Sequence, residues 1–522
     1  MKKNFLLNKD FLTIVLLFIF ALLINQHYGN RGAFPHDSFA HFETGFRILS
    51  GEHPFTDYWI ISGPLVDYIQ SLFFLILGVS FQTYVLHASV FNGILTVATF
   101  KVLRHFKLNI FYSFIYAFFF SILAYPSSGT PFVDHHSTFF SLLGVYALLL
   151  GIKNNSNFYW IVAPILFICA FLSKQVPASY IILPIFITLC FYFYNNKKIK
   201  ALQYSLLSSV LFILTLLFFG IINGISIHVF IEQYILYPQL IGQNRLAQFL
   251  ANFSIFGILG HFKFILIILA ALIYLNIKNL YSINKYYRKN NFYYFLIISF
   301  FVVLLIFNQI LTKNQTYIFF LIPIVAAFVQ IYSGNKKPIF NYLILIFCLF
   351  ITVKYHLRFN EDRKFHELSN SNFNLAINAK EIDNKLDGLK WITPQFKTDP
   401  RNEIKNIKEI KNIIKNDKRE KMVLSNYPFL SVVLDKKYFS TTRWHTFDGT
   451  DYPQIGNKYF TSYQNLLIKT LRNKNIKVIY TILPVKKGNI YNYVNEDCFK
   501  EKKINEFLSS YDLKSCDQLN LP

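Results

Sequence analysis

Eleven apolar runs of 14 to 20 residues occupy most of the first 355 positions of this 522-residue chain. They cover 11–24, 84–102, 110–125, 137–150, 158–172, 178–194, 204–222, 256–275, 292–310, 317–332 and 340–353. A helix needs about 20 apolar residues to cross the hydrocarbon core of a bilayer, so the shorter runs must borrow flanking residues. Acidic residues avoid this region. Eight of the 28 Asp and Glu lie before residue 355, which leaves 20 for the last third. Only 15% of residues are charged, against about 25% in an ordinary soluble domain. The pattern predicts an α-helical polytopic membrane protein over 1–355, followed by a mixed-charge domain over 356–522. It excludes a disordered tail, a collagen-like fibre and a disulfide-stapled miniprotein, and it argues against a single soluble globule.

A further apolar run, 65–77, starts after Gly63-Pro64, carries Asp67 and ends at Gly78. We read it as an interfacial helix, because a twelfth span would invert every later loop. With a cytoplasmic N-terminus, sixteen Lys and Arg fall in inner loops. Only Arg31, Arg47, Lys174, Arg245, Lys313 and Lys354 fall in outer ones. Basic residues favour the cytoplasmic side, so about eleven spans are expected, with the tail outside. No small-residue cleavage site follows the first run, which argues against a signal peptide. The net charge of +24 then records topology and contact with anionic membrane lipid, not nucleic acid.

Seven of the eight acids of the membrane part lie on the outer side, so chemistry is expected there. In the first outer loop, 25–64, Asp37 with Ser38 suits a helix N-terminus, and Glu43 and Arg47 stand i,i+4 on a following helix. A carboxylate at the membrane face is also suited to take a proton from an acceptor hydroxyl or amine. In the second outer loop, Asp134 and His136 have a spacing that suits one cation, while Asp134 equally suits a helix cap. Lys174, Arg245 and Lys313, the last near Tyr317, are isolated outer cations beside aromatics. They are candidates to converge on a phosphate, with snorkelling to lipid headgroups as the plain alternative.

The first span, the loop containing Gly51, Pro54-Phe55 and Asp57-Tyr58-Trp59, and the Pro64-Leu65-led interfacial helix together resemble the GT-C membrane glycosyltransferases. The likeness is to the branch of protein O-mannosyltransferases and lipid A aminoarabinose transferases. Asp37 and Asp134 fall where that branch places its two acids. Phe171-Leu172-Ser173-Lys174-Gln175 resembles its Lys-Gly turn, and Lys313 to Pro323, with Tyr317, resembles its Lys-Tyr-Pro segment. The chain departs from the branch in having Ser38 after Asp37 and no Lys before Pro64-Leu65. Asp134-x-His136 resembles instead the metal motif of GT-C oligosaccharyltransferases. That likeness implies a divalent cation, Mg or Mn, held by Asp37, Asp134 and His136. Those enzymes carry a Trp-Trp-Asp motif, and no two of the four Trp here are adjacent.

The resemblance implies an inverting hexosyl- or pentosyltransferase of a bacterial inner (plasma) membrane, acting on the outer face. Its donor would be a polyprenyl-phosphate-linked sugar, and its acceptor a glycan, lipid or protein. Asp37 would orient or deprotonate the acceptor, and Arg47, Lys174, Arg245, Lys313 and Tyr317 would face the donor phosphate. The alternatives are an oligosaccharide ligase or polymerase, or a non-enzymatic transporter or flippase. In the tail, β-like runs at 422–424 and 478–483 with a helical run near 465–472 predict a small extracytoplasmic α/β domain. Cys169, Cys190 and Cys348 read as packing residues in spans. An oxidising compartment would allow Cys498 and Cys516 to pair.

Overall fold

The computed structural model describes residues 2–282, 285–312, 318–334, 338–446, 449–516 and 518. Helices make up 71% of it. Among the described residues, nine are long and apolar enough to cross a membrane: Lys9–Gly29, Phe81–His105, Ile110–Ser127, Val133–Asn154, Gln175–Asn196, Ile199–Ile222, Ile255–Asn279, Asn290–Thr312 and Pro338–His366. The protein is therefore a helical polytopic membrane protein with a small sheet near its C-terminus. The other two predicted spans fall on shorter apolar helices, Asn157–Ser173 and Ile318–Ser333. The predicted interfacial run lies on Pro64–Leu77.

The chain forms two compact units, and neither is continuous in sequence. The first contains residues 1–30, 85–216 and 245–369, and the second contains 31–84, 217–244 and 370–522. A linear division near 355 treats the tail as a unit by itself. In the structure its compact unit also takes in most of the first loop and residues 217–244.

In the first unit, aliphatic and aromatic side chains of the membrane helices bury one another in a shared core that includes Phe120, Phe139, Trp160 and Phe320. Apolar packing gains little over lipid, so polar bonds between helices carry the specificity. Asn92 donates to the carbonyls of Ala21 and Ser121, at 2.9 and 3.0 Å, and Asn25 donates to Ser89 and to Gly129 O. Gly129 has φ +74°, and a Cβ there would collide with the backbone of Gly29. That close approach explains the glycine at each position.

In the second unit, four strands, β1 (Lys421–Leu424), β2 (Val478–Ile482), β3 (Phe499–Lys503) and β4 (Leu508–Leu513), form a sheet in the order β1-β2-β4-β3. β1 and β2 are parallel, with Met422 opposite Ile479, and the other pairs are antiparallel. The helix Phe460–Asn473 lies between β1 and β2 in sequence, as a parallel crossover requires. A second helix, Pro400–Asn416, buries Ile404, Ile407, Ile410 and Ile414 along one face. Asp399 caps it by accepting from Asn402 N, and Pro400 starts it. Trp59 and Tyr237 share the core of this unit with Met422, Tyr463 and Ile479. Cys498 and Cys516 form a disulfide.

Candidate functional site

Each unit holds a cluster of buried polar side chains. In the second unit the centre is Asp67, which is fully buried in the first turn of Pro64–Leu77. An isolated carboxylate there would be severely penalised, so partners are required. His41 Nδ1 stands 2.6 Å from its Oδ1, Thr44 Oγ1 donates to the same oxygen at 2.5 Å, and Arg443 donates to Oδ2 at 2.5 Å. Arg443 also donates to Ser62 O. Burial, with the neighbouring Arg443 charge, lowers the pKa of His41, against the pull of Asp67.

One turn further along Ala40–Leu49, Arg47 donates to Glu52 at 2.6 Å and to Ser440 O at 2.8 Å. It stands 3.6 Å from Glu43, the predicted i,i+4 partner, and packs over the Tyr58 ring at 4.0 Å. Burial pushes Glu43 up to about 7, against the pull of Arg47. A cavity bordered by Glu43, Ser440, Thr442, Arg443 and His445 adjoins this cluster. Burial takes His445 down to about 3, and its Nε2 lies 3.0 Å from Ser440 Oγ.

Asp37 is half-buried on the four-residue helix Pro35–Ser38. Phe34 occupies the N-cap position, so Asp37 is not the cap that its sequence context suggested. The adjacent His36 stacks on Trp444 at 5.6 Å, and Trp444 Nε1 donates to the His36 carbonyl.

In the first unit, Val133–Asn154 and Asn157–Ser173 run antiparallel, so residue 174 returns to the end where residue 134 starts. There Lys174 donates to Asp134 Oδ2 at 2.6 Å, with the carboxylate buried and the ammonium mostly so. Ser137 Oγ donates to the Lys174 carbonyl and fixes the turn. His136 hydrogen-bonds Tyr125 through Nδ1, and its Nε2 lies 2.9 Å from His87 Nε2. Asp134 and His136 thus have different hydrogen-bond partners in this arrangement. Among the described residues, no three His, Cys, Asp or Glu side chains gather as a metal site would require.

Arg245 is half-buried and lines a cavity in the first unit. Lys313 and Tyr317 lie outside the described residues. Reasoning from sequence missed Asp67, His41 and Arg443 as one cluster. The available signal was a lone carboxylate in an apolar helix, which demands a partner. It also missed Arg363, which is fully buried and donates to the carbonyls of Pro126, Ser127 and Ser128, holding the turn before Asp134. No family model matches the chain, and no curated protein matches it.

Proposed function

We propose that the protein is a membrane glycosyltransferase of GT-C type, moving a sugar from a polyprenyl-phosphate donor to an acceptor on the outer face. The observation that carries this reading is the Asp134–Lys174 pair. The sequence nominated the two residues separately, one as a site acid and the other as a phosphate contact. They meet at one end of two apolar helices, where the charged head of a membrane-bound lipid would lie. An ammonium has three protons to donate, and Asp134 takes one, so Lys174 keeps two for a phosphate.

In this reading Asp37 accepts the acceptor's proton, the acceptor oxygen or nitrogen bonds to the anomeric carbon, and the bond from that carbon to the phosphate oxygen breaks. The leaving phosphate retains the electron pair. Arg47 is committed to Glu52, Glu43 and Ser440, which favours an organising role for it within the loop. The Cys498–Cys516 disulfide supports a tail in an oxidising, extracytoplasmic compartment.

The test is glycan and lipid profiling of a strain that lacks this chain. Loss of one sugar from an envelope glycan, with build-up of the polyprenyl-phosphate sugar, is expected. Complementation by wild type should reverse both changes, and D37N should reverse neither. Full rescue by D37N would remove Asp37 from the mechanism. Unchanged glycans and lipids in the deletion strain would count against transfer altogether.

A further inference from the structure

In the first unit the helices Gln175–Asn196 and Lys285–Thr312 pack antiparallel, with Tyr192 against Tyr293 and Tyr180 against Phe307 at ring distances of 5.1 and 5.3 Å. Between them runs an open groove of about 390 Å³. Pro184, Phe191 and Asn195, spaced i, i+7, i+11 on one helix face, form one wall, and Phe292, Leu296 and Phe300 form the other. The polar groups are bonded within the walls, since Thr188 donates to Pro184 O and Asn195 donates to Tyr293 OH. The groove is therefore apolar along its length. From Pro184 to Asn195 a helix rises about 16 Å, close to half of a hydrocarbon core of about 30 Å. That is the depth of one leaflet.

At the Asn195 end the character changes. Tyr194 is 84% exposed, as an aromatic at a membrane interface would be. The helix then closes with hydrogen bonds from Lys197 N to Tyr194 O and from Lys198 N to Phe193 O, and Lys200 follows. No Asp or Glu occurs between Asp134 and Glu232, or between Glu232 and Glu361, so neither helix nor its flanking loops offers these ammonium groups a carboxylate. Among the described residues, none of the three lysines forms an ion pair. A leaflet-long apolar groove that ends at unpaired cations is complementary to a phospholipid with a net negative head. We infer that this groove holds one acyl chain of an anionic phospholipid, with the phosphate of its head beside Lys197, Lys198 and Lys200. The occupant is a structural lipid and not a substrate, because Lys174 stands at the opposite end of Gln175–Asn196, about 30 Å away along the helix. The inference holds whether or not the chain transfers a sugar.

The full-length protein, purified in detergent, is offered phosphatidylglycerol, phosphatidylcholine or a polyprenyl phosphate, and retention is read by native mass spectrometry. One phosphatidylglycerol per chain should be retained. Phosphatidylcholine, with the same chains and no net charge, should be retained at least fivefold less. K197Q, K198Q and K200Q together should weaken phosphatidylglycerol retention about tenfold, while K101Q, an exposed cation on another helix, should not change it. L296W fills the groove without touching the cations, and it should lower phosphatidylglycerol retention at least fivefold. Equal retention of phosphatidylcholine, or unchanged retention by the folded triple variant, would overturn the proposal. If L296W lost the polyprenyl phosphate and kept phosphatidylglycerol, the groove would belong to a carrier lipid and the proposal would fall. Should the triple variant fail to fold, L296W alone decides, with unchanged phosphatidylglycerol retention overturning the inference.

Discussion

Asp67 and Glu43 show how burial sets the behaviour of single residues in the second unit. Asp67 retains its place because His41, Thr44 and Arg443 satisfy it. Removing one member of a buried ion pair costs about 3–5 kcal/mol, whereas replacing both leaves no stranded charge. R443Q should therefore lower the unfolding temperature strongly, and D67N combined with R443Q should recover a substantial part of the loss. Thermal unfolding of the single and double variants checks this, and simple additivity would contradict it. Glu43 is raised to about 7 from an ordinary value near 4.5, so the folded state holds its proton where the unfolded chain has released it. Its contribution to stability is greatest below pH 4.5 and is lost as the pH rises to 7. His445, lowered to about 3, acts in the opposite direction by favouring the folded state as the pH rises from 3 towards 6.5. The wild-type-minus-E43Q difference isolates the first effect, and it should fall between pH 5 and 7. The i,i+4 pairing of Glu43 with Arg47 was legible in sequence because helix geometry is local. The Asp67–Arg443 pair was not, because the residues stand 376 apart in the chain.

The elements follow a similar division. Long apolar runs fell on helices because nothing but a helix satisfies its own backbone bonds in hydrocarbon. β1 and β2 were legible from Met422-Val423-Leu424 and Val478-Ile479-Tyr480, which are buried apolar stretches. β3 was not. It reads Phe-Lys-Glu-Lys-Lys, and four of its five residues are exposed at the sheet edge. Charge on an edge strand discourages pairing with other chains and conceals the strand from a hydrophobic pattern. The disulfide ties Cys498, just before β3, to Cys516, just after β4, across a separation of 18 residues. Closing a loop of that size restricts the unfolded chain by about 3 kcal/mol in the entropic account. C498S with C516S should accordingly unfold the sheet at lower denaturant than wild type, with the difference removed by reductant. An unchanged midpoint would show that the sheet does not depend on the bridge.

At the scale of the molecule, hydropathy revealed a polytopic membrane protein, while the interleaving of first loop, 217–244 segment and tail in one unit left no local signature. Such assembly depends on distant contacts like Trp59 N with Thr441 O. The basic-residue asymmetry predicts that a reporter active only outside the cell works when fused after Pro522 and is silent when inserted at Lys198. The opposite pattern would place the tail in the cytoplasm and remove the outer-face chemistry. The transfer claim itself is tested most directly with the full chain reconstituted in vesicles and supplied with a labelled polyprenyl-phosphate sugar and an envelope-glycan acceptor fraction. The account predicts acceptor labelling by wild type, a loss of at least a hundredfold with D37N and a clear reduction with K174M, all at equal protein incorporation. No labelling by wild type with an acceptor fraction taken from the deletion strain, or equal labelling by D37N, would contradict it.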